Sequence, residues 1–200
     1  GEFCKIASFD NFCVELLLYK DVFSLFIPEL KGMIDFPQNN PWHIYNVFDH
    51  TIHAVAECGS KDLITRLAVF FHDFGKHSYQ DGEDGIRHFK GHAKISADMT
   101  DSIMKRLRFD NDTRNKVVEL VQYHDVTFSV GKKYVKKWLN KIGEEQFRRL
   151  IKLKEADNKA QNLERSNERI GELHEIESLI DEVLKEQECF SLKDLAVNGQ

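Results

Sequence analysis

The distribution of proline is the feature that most constrains how this chain can fold. All three prolines, Pro28, Pro37 and Pro41, lie near the amino-terminal end, and no proline follows them. Because proline removes a backbone donor and interrupts helices, a long proline-free stretch rich in Leu, Glu, Lys and Arg favours helical structure. Apolar spacing and turn residues predict helices at 45–57, 62–74, 92–107, 111–125, 133–140, 144–166 and 168–188. No segment has the two-residue alternation of a strand, so the predicted class is all-α.

The size and composition predict a soluble protein with a sizeable core. The 200 residues are 42% apolar, which suits one large domain or a domain with an appendage. We divide the chain into an amino-terminal helical and linker segment (1–44), a central core (45–160) and a carboxy-terminal helical extension (161–200). No apolar run approaches the ~18–20 residues of a membrane span and no signal peptide is visible, so we expect a cytoplasmic protein without membrane contact. The four cysteines are scattered and are expected to be free thiols.

The net charge of −5 conceals blocks of opposite sign. Residues 131–154 hold 9 basic and 2 acidic side chains, whereas residues 155–200 hold 5 basic and 12 acidic ones. The overall balance disfavours a dedicated nucleic-acid-binding module. The basic block alone could face a polyanion, or it could be a solvated helix face with Trp138 and Leu139 turned inwards. The sequence leaves both interpretations open.

Histidine is unusually concentrated in the central core. Eight of the nine histidines lie between His43 and His124. Four short segments, D-H-T-I-H, F-H-D-F-G-K, G-H-A-K-I-S and Y-H-D, place histidines beside aspartates or glycines, and a later helix adds Asp157. Ligands from several helices are what a bundle needs to build a site in its interior. Imidazole and carboxylate without thiolate suit Fe, Mn, Ni, Zn or Mg.

The pair His72-Asp73 is the most specific signal in this pattern. It follows the apolar run Leu67–Phe71, where two ionisable groups would be costly to bury without a compensating partner. A bound cation would supply that compensation. Gly75 is expected to end the helix and free the backbone, so that Lys76 can turn towards an anion bound at the metal.

These residues resemble the signature of the HD superfamily of metal-dependent phosphohydrolases, H…HD…D, over residues 50–157. The resemblance implies an HD-domain helical bundle with a metal site in its interior. It implies a primary metal site formed by His50, His72, Asp73 and Asp157. His92 and His124 match the additional histidines of members that hold a second metal, where Asp73 would bridge the two ions, and Lys76 matches the lysine of the H-D-x-G-K form. The expected cofactor is one or two divalent metal ions.

A second resemblance extends over nearly all of the chain after about residue 15. The stretches 27–55, 134–150 and 189–199 are similar to the region that follows the head and neck of bacterial CCA-adding tRNA nucleotidyltransferases of the poly(A) polymerase family. The catalytic head of that family needs a Gly-rich strand and a D-x-D arrangement, which this sequence lacks; 81–84 is expected to be a loop. The chain also stops where family members continue. It is therefore expected to be the HD part of such an enzyme, with no nucleotide addition of its own.

The remaining polar residues receive smaller roles. The sequence leaves two roles open for Lys76: it contacts a phosphate, or it is an exposed lysine at the end of a helix. His53 is expected to lie in the core or behind the ligands, and His43 to brace a loop. His77 and His88 are expected at the surface, and His174 receives no role.

The function predicted from the sequence is metal-dependent hydrolysis of phosphoesters. Metal-activated water would attack phosphorus, with Asp73, which is also a ligand, and Lys76 as the catalytic residues. The resemblance implies 2′,3′-cyclic or 2′-phosphorylated nucleotides, or tRNA ends, as substrates. Two alternatives remain, a non-catalytic tRNA-binding support for a nucleotidyltransferase and a free-standing nucleotide phosphohydrolase. The oligomeric state is left open.

Overall fold

A computed structural model describes residues 2–82 and 85–197, with side chains described as far as Glu186. Within these residues the all-α prediction is confirmed, since the only strands are two antiparallel strands of two residues each, β1 (Gln80–Asp81) and β2 (Arg87–His88). The side chain of Cys189, residues 83–84 of the predicted loop 81–84 and the last three residues lie outside this description. The helices are α1 (Glu2–Ser8), α2 (Phe12–Leu18), α3 (Lys20–Phe26), α4 (Val47–Glu57), α5 (Leu63–Phe71), α6 (His92–Arg106), α7 (Asn111–Tyr123), α8 (Lys132–Lys159) and α9 (Leu163–Val197), with 3-10 turns at Pro28–Gly32 and Phe74–His77.

Helix α5 lies at the centre of the bundle. Every residue from Thr65 to Phe71 is buried, and the helix packs against α1, α4, α7 and α8. Its amino terminus is capped by Asp62, which accepts a hydrogen bond from the Thr65 amide at 2.8 Å. Ser60, two residues earlier, instead accepts a hydrogen bond from the Asp62 amide at 3.1 Å. The burial of α5 carries its carboxyl end into the interior.

Helix α5 also ends earlier than predicted. The apolar periodicity extends the helix to Phe74, but the helix stops at Phe71 and the next residues form a turn that enters the 3-10 turn Phe74–His77. Asp73 has φ −106° and ψ 10°, which is not helical. The turn places His72 and Asp73 at the buried end of α5 rather than on its side.

Helices α8 and α9 divide the carboxy-terminal half differently from the prediction. The sequence predicts helices at 144–166 and 168–188, whereas the chain turns at 160–162. The Asn162 side chain accepts a hydrogen bond from the Glu164 amide, and the Asn162 amide donates to the carbonyl of Trp42 at 2.9 Å. Apolar spacing in the sequence predicts neither of these Asn162 contacts, so it does not show the turn. The predicted break near residue 143 is present as a kink at Gly143, with φ 78° and ψ 165°.

The two charged blocks face each other across the pair α8 and α9. Lys132 on α8 contacts Glu182 and Glu186 on α9 at 3.0 and 2.6 Å, and Arg148 contacts Asp181 at 2.5 Å. Such exposed pairs contribute little to stability individually. They do mean that part of the basic block is neutralised within the chain. Trp138, on the inner side of the same helix, is buried.

None of the helices in the described part of the chain is long and apolar enough to cross a membrane.

Candidate metal centre

Five elements bring the predicted ligands together in the interior. His50 lies on α4, His92 begins α6 and His124 follows the last residue of α7. The turn after α5 adds His72 and Asp73, and α8 adds Asp157. All are buried except Asp157, whose side chain is 17% exposed. The structure therefore places all six predicted ligands in one cluster.

The cluster consists of two groups that meet at Asp73. In the first group, the Nε2 atom of His50 lies 3.3 Å from His72 Nε2 and 3.0 Å from Asp157 Oδ1. In the second, the Nε2 atoms of His92 and His124 are 3.0 Å apart. Asp73 turns Oδ2 towards the first group, 3.1 Å from His72 Nε2, and Oδ1 towards the second, 3.4 Å from His92 Nε2. One carboxylate thus faces both groups.

Backbone carbonyls fix the orientation of the four imidazoles. The Nδ1 atoms of His72, His92 and His124 each donate to the carbonyl three residues earlier, at 2.7, 2.7 and 2.6 Å. His50 Nδ1 donates to the carbonyl of Ala160 at 3.2 Å. A carbonyl only accepts, so each Nδ1 must carry a hydrogen, and in a neutral ring the Nε2 lone pair then points into the cluster. This arrangement is typical of histidines that bind metals through Nε2.

The charges in the cluster favour a cation. Burial alone would lower the pKa of His72, but Asp73 and Asp157 raise it to about 10. Burial opposes ionisation of both carboxyls, yet the neighbouring cationic side chains hold the pKa of each well below its usual value. Burial, together with His72 and His92, lowers the pKa of His124. The carboxylates thus draw a proton onto His72, and a divalent cation would supply positive charge in its place.

The donor spacing suits such a cation. Two donors bonded to one ion at about 2.1 Å lie about 3.0–3.4 Å apart in octahedral or tetrahedral geometry. The distances within the groups are close to this range, and all three donor atoms of each group lie within 4.8 Å of one another. Asp73 Oδ2 is also buried without a hydrogen bond of normal geometry among the described residues. The two groups could therefore hold one or two divalent ions.

Lys76 is buried beside the cluster, so the alternative of an exposed helix-end lysine is wrong. Its Nζ atom lies 2.7 Å from Asp73 Oδ2 and donates to Gln38 Oε1 at 2.7 Å. The third neighbour is His43 Nε2 at 3.5 Å. Lys76 also lines a cavity together with Asp73 and His92. Its charge is thus committed mainly to Asp73.

Gly75 has a packing role that the sequence does not reveal. The expectation was that it frees the backbone, but its φ is not positive. Instead, a Cβ at this position would lie 2.6 Å from both the His92 carbonyl oxygen and the Ser96 nitrogen. The Gly75 amide donates to Ser96 Oγ at 2.8 Å. The missing side chain lets α6 approach the turn that carries Asp73.

His43 is a site residue that sequence reasoning missed. Its ring packs edge-on against His50, with centroids 5.1 Å apart. Burial, together with Lys76 and His50, lowers the pKa of His43 to about 2. The proximity of Pro41 and Trp42 suggested only a loop residue. Asn46, which accepts from the Asp49 amide, caps α4, but no local pattern indicates that the preceding loop turns back onto the helix.

The other histidines lie outside the cluster. His53 is exposed and stacks on Tyr45, with ring centroids 4.0 Å apart, so its predicted place in the core or behind the ligands is wrong. His77 and His88 are exposed, as expected. His174 contacts Glu155 at 3.3 Å and has an exposed side chain.

A cavity of about 280 Å³ opens beside the cluster. Its wall includes His124 and Asp157, so it reaches both groups of ligands. Trp42 also lines it, with the Arg169 guanidinium 4.1 Å from the ring centroid. Burial lowers the pKa of Lys154, which lines the same wall, to about 8. A small molecule in this cavity would touch the candidate metal centre.

Comparison with known proteins agrees with this geometry. The family profile described as HD domain matches residues 43–162. The chain is 31% identical over 108 residues to the A-adding tRNA nucleotidyltransferase of Deinococcus radiodurans, covering 51% of this chain and 25% of that protein. It is 30% identical over 119 residues to the CC-adding tRNA nucleotidyltransferase of Thermus thermophilus, covering 56% of this chain and 27% of that protein. The matches span about a quarter of each curated relative. The family profile matches more than half of the chain, and histidines and aspartates form a cluster in its interior. The chain therefore belongs to the HD domain family.

Proposed function

We propose that this protein is a metal-dependent phosphohydrolase that cleaves phosphomonoesters or phosphodiesters, with nucleotides or tRNA ends as the substrate class. The observation that carries the proposal is the pair of ligand groups joined by Asp73, with all four Nε2 atoms directed inwards. The family and the similarity to the corresponding part of tRNA nucleotidyltransferases support a hydrolase-type domain that depends on metal.

The proposed ligands are His50, His72 and Asp157 in one group and His92 and His124 in the other, with Asp73 shared. When bound, divalent ions such as Fe, Mn, Ni, Zn or Mg would lower the pKa of a water and stabilise charge on phosphoryl oxygens. The protein's own contribution is orientation. The carbonyls that accept from each Nδ1 hold the rings in place, so little rearrangement is needed as the reaction proceeds.

We assign Lys76 an electrostatic role through Asp73. Its ammonium group already faces Asp73, Gln38 and His43, and the contact to His43 Nε2, at 3.5 Å, is the longest. A phosphoryl oxygen could replace only that weakest contact without breaking the ion pair. Lys76 would then stabilise negative charge at the centre while keeping Asp73 ionised. Asp73 and Lys76 remain the proposed catalytic residues.

The experiment is an assay of the purified chain with Mn²⁺, Ni²⁺, Mg²⁺ and Fe²⁺. Substrates are 2′,3′-cyclic nucleotides, 2′-nucleotides, a tRNA with a phosphorylated end and a general phosphatase substrate. His50→Ala is compared with the matched control His53→Ala, because both histidines lie on α4 but only His50 faces the cluster. We expect the first variant to lose at least 100-fold in kcat/KM and the control to stay within a few-fold of the parent protein.

Metal content, measured by atomic emission on the same samples, decides how a negative result is interpreted. If the parent protein binds metal but hydrolyses none of the substrates above the His72→Ala and Asp73→Ala variants, the hydrolase proposal should be abandoned. Hydrolysis of free nucleotides without any activity on tRNA ends would instead favour a nucleotide phosphohydrolase.

A second candidate function is support of tRNA for a nucleotidyltransferase. It is favoured by the names of the two curated relatives and by the basic block on α8. The contacts of Lys132 and Lys136 with Glu186 on α9 reduce the free charge of that block. Lys133 and Lys137 are exposed on the same helix and are better probes.

This candidate is tested by tRNA binding at several salt concentrations. Each lysine that contacts a phosphate should contribute close to one unit to the slope of log affinity against log salt. We expect Lys133→Glu with Lys137→Glu to weaken binding and flatten that slope if the support role is correct. Unchanged affinity and slope would eliminate it.

A further inference from the structure

The cavity beside the metal centre contains buried polar groups with no partner. Asn158 and Gln161 line it, and their side chains are 5% and 7% exposed. In the described part of the chain, neither Asn158 Oδ1 nor Gln161 Oε1 has a hydrogen-bond partner. Because an unpartnered buried acceptor is unfavourable, these oxygens suggest that a ligand completes the site.

The orientation of both amides is fixed by their other atoms. Asn158 Nδ2 donates to the carbonyl of Lys154 at 2.7 Å, and Gln161 Nε2 donates to Asp157 Oδ1 at 3.0 Å. Both partners are acceptors, so exchanging nitrogen and oxygen would bring two acceptors together. The oxygens are therefore the unpartnered atoms, and a ligand must offer them donors.

His43 supplies a third unpartnered group in the same cavity. Its Nδ1 atom is buried and has no hydrogen bond within the described residues. Its Nε2 atom faces the Lys76 ammonium, which can only donate, so Nε2 accepts and Nδ1 carries the hydrogen. The cavity thus presents two acceptors and one donor. A hydroxyl donates one hydrogen and also accepts, so one hydroxyl can satisfy His43 Nδ1 and one amide oxygen, and a second donor on the ligand can satisfy the other.

These three residues adjoin the metal ligands. Asn158 follows Asp157 in the chain, Gln161 is hydrogen-bonded to Asp157, and the His43 ring contacts that of His50. A hydroxyl bound by these residues would therefore lie close to a phosphate held at the candidate metal centre. Further out, Trp42 lines the cavity with the Arg169 guanidinium over its ring, 4.1 Å from the centroid, and a nucleobase could stack on this pair.

We propose that Asn158, Gln161 and His43 select phosphate esters that carry a free hydroxyl on the carbon next to the phosphorylated one, as in a ribonucleoside 3′-phosphate. The inference rests on the proposed phosphoester hydrolysis and names its substrate class. Ribose phosphates are then preferred over deoxyribose phosphates by this contact alone.

The test compares adenosine 3′-monophosphate with 2′-deoxyadenosine 3′-monophosphate, which differ by one hydroxyl. The metal-loaded parent protein should prefer the ribose compound by roughly 10- to 100-fold in kcat/KM, as expected for one or two buried hydrogen bonds. Asn158→Leu, which keeps the side-chain size but removes the acceptor, should reduce that preference at least several-fold. Asn140→Leu, an exposed asparagine on the same helix, is the matched control and should keep the full preference.

Metal content and thermal unfolding of each variant show whether the fold and the candidate metal centre are retained. The ratio of the kcat/KM values for the two substrates does not change when part of the protein is inactive. Equal hydrolysis of both compounds by the parent protein would overturn the inference and leave the hydrolase function standing.

If neither compound is hydrolysed, the assay with the other phosphoesters decides the proposed function, and binding of the two compounds decides the inference separately. Trp42 lines the cavity whereas Trp138 is buried, so quenching of tryptophan fluorescence that is lost in Trp42→Phe reports occupancy. Tighter binding of the ribose compound, abolished in Asn158→Leu, would support the inference. Equal affinity for the two compounds, or no binding of either, would overturn it.

Discussion

Replacing Gly75 with alanine should disrupt one half of the metal centre. The added Cβ would lie 2.6 Å from the His92 carbonyl oxygen and 2.6 Å from the Ser96 nitrogen, and 2.9 Å from the Ile95 Cβ. Ordinary contacts between such atoms begin near 3.4–3.5 Å, so α6 or the turn must move by about 0.8 Å. Two of these atoms belong to helix backbone, which cannot rotate away. Overpacking of this kind costs about 1–3 kcal/mol of folding free energy.

The displacement matters because His92 is the first residue of α6. Metal–ligand distances tolerate deviations of only about 0.2 Å, so a shift of several tenths of an ångström at His92 weakens coordination. The group formed by Asp73, His92 and His124 should lose about 10- to 100-fold in metal affinity, the range seen when supporting contacts are lost. The group formed by His50, His72 and Asp157 has no ligand on α6 and should be affected less.

The assay is calorimetric titration of the metal-free protein with Mn²⁺ or Ni²⁺, beside thermal unfolding. Gly171→Ala is the matched control, because nothing lies within 4 Å of a Cβ there and alanine is the better helix former. If Gly75→Ala folds too poorly to titrate, Ser96→Ala removes the acceptor of the Gly75 amide without adding volume. Metal affinity and melting temperature equal to the parent protein in Gly75→Ala would refute the packing argument.

Three further perturbations test the fold and the charge balance. Asp62→Ala should lower the free energy of unfolding at pH 7 by about 1–2 kcal/mol, through loss of the α5 cap. Burial raises the pKa of Asp62, but Thr65 and Arg149 lower it further, so its pKa lies below the ordinary 3.8. The stabilisation is therefore present above pH 3.8 and is lost as the pH falls below that value. Urea unfolding should show a smaller difference in unfolding free energy between the parent protein and the variant at pH 3 than at pH 7. Lys76→Met should destabilise the metal-free protein by about 3 kcal/mol, because it removes one of the two positive charges, Lys76 and His72, that face the buried Asp73 carboxylate. Added metal should raise the melting temperature of this variant more than that of the parent protein, and an equal rise in both would contradict the assigned role. Trp138→Ala should cost about 3–5 kcal/mol in chemical denaturation, since the ring is buried between Tyr123, Phe128 and Phe147.

The helices and the ligand set could be predicted because each depends on local pattern. The apolar run Leu67–Phe71 requires a buried helix, and the ionisable pair that follows it requires a compensating charge. The resemblance to a family then assigned roles to residues as distant in sequence as His50 and Asp157. The structure brings all six predicted ligands together. That they bind metal remains a prediction, which the titrations above address.

The contacts that complete the centre could not be predicted, because they join residues across turns. His43 reaches the cluster only because the loop before α4 folds back onto His50 and Lys76. The packing role of Gly75 depends on how closely α6 approaches, which no local pattern encodes. The end of α8 was misplaced for the same reason, since Asn162 acts through its contact with Trp42.

The turn at 160–162 connects the helix boundary to the chemistry of the site. The Ala160 carbonyl accepts from His50 Nδ1 and so directs His50 Nε2 towards the cluster. Gln161 holds the Asp157 carboxylate, and the Asn162 amide holds the loop that carries Trp42 and His43. Each residue added to a helix rotates its end by about 100°, so moving this turn by a single residue would misdirect all three contacts at once. The geometry of the candidate metal centre therefore constrains the length of α8 as much as packing does. Deletion of one residue after the Gly143 kink should abolish metal binding while most of the helical structure remains.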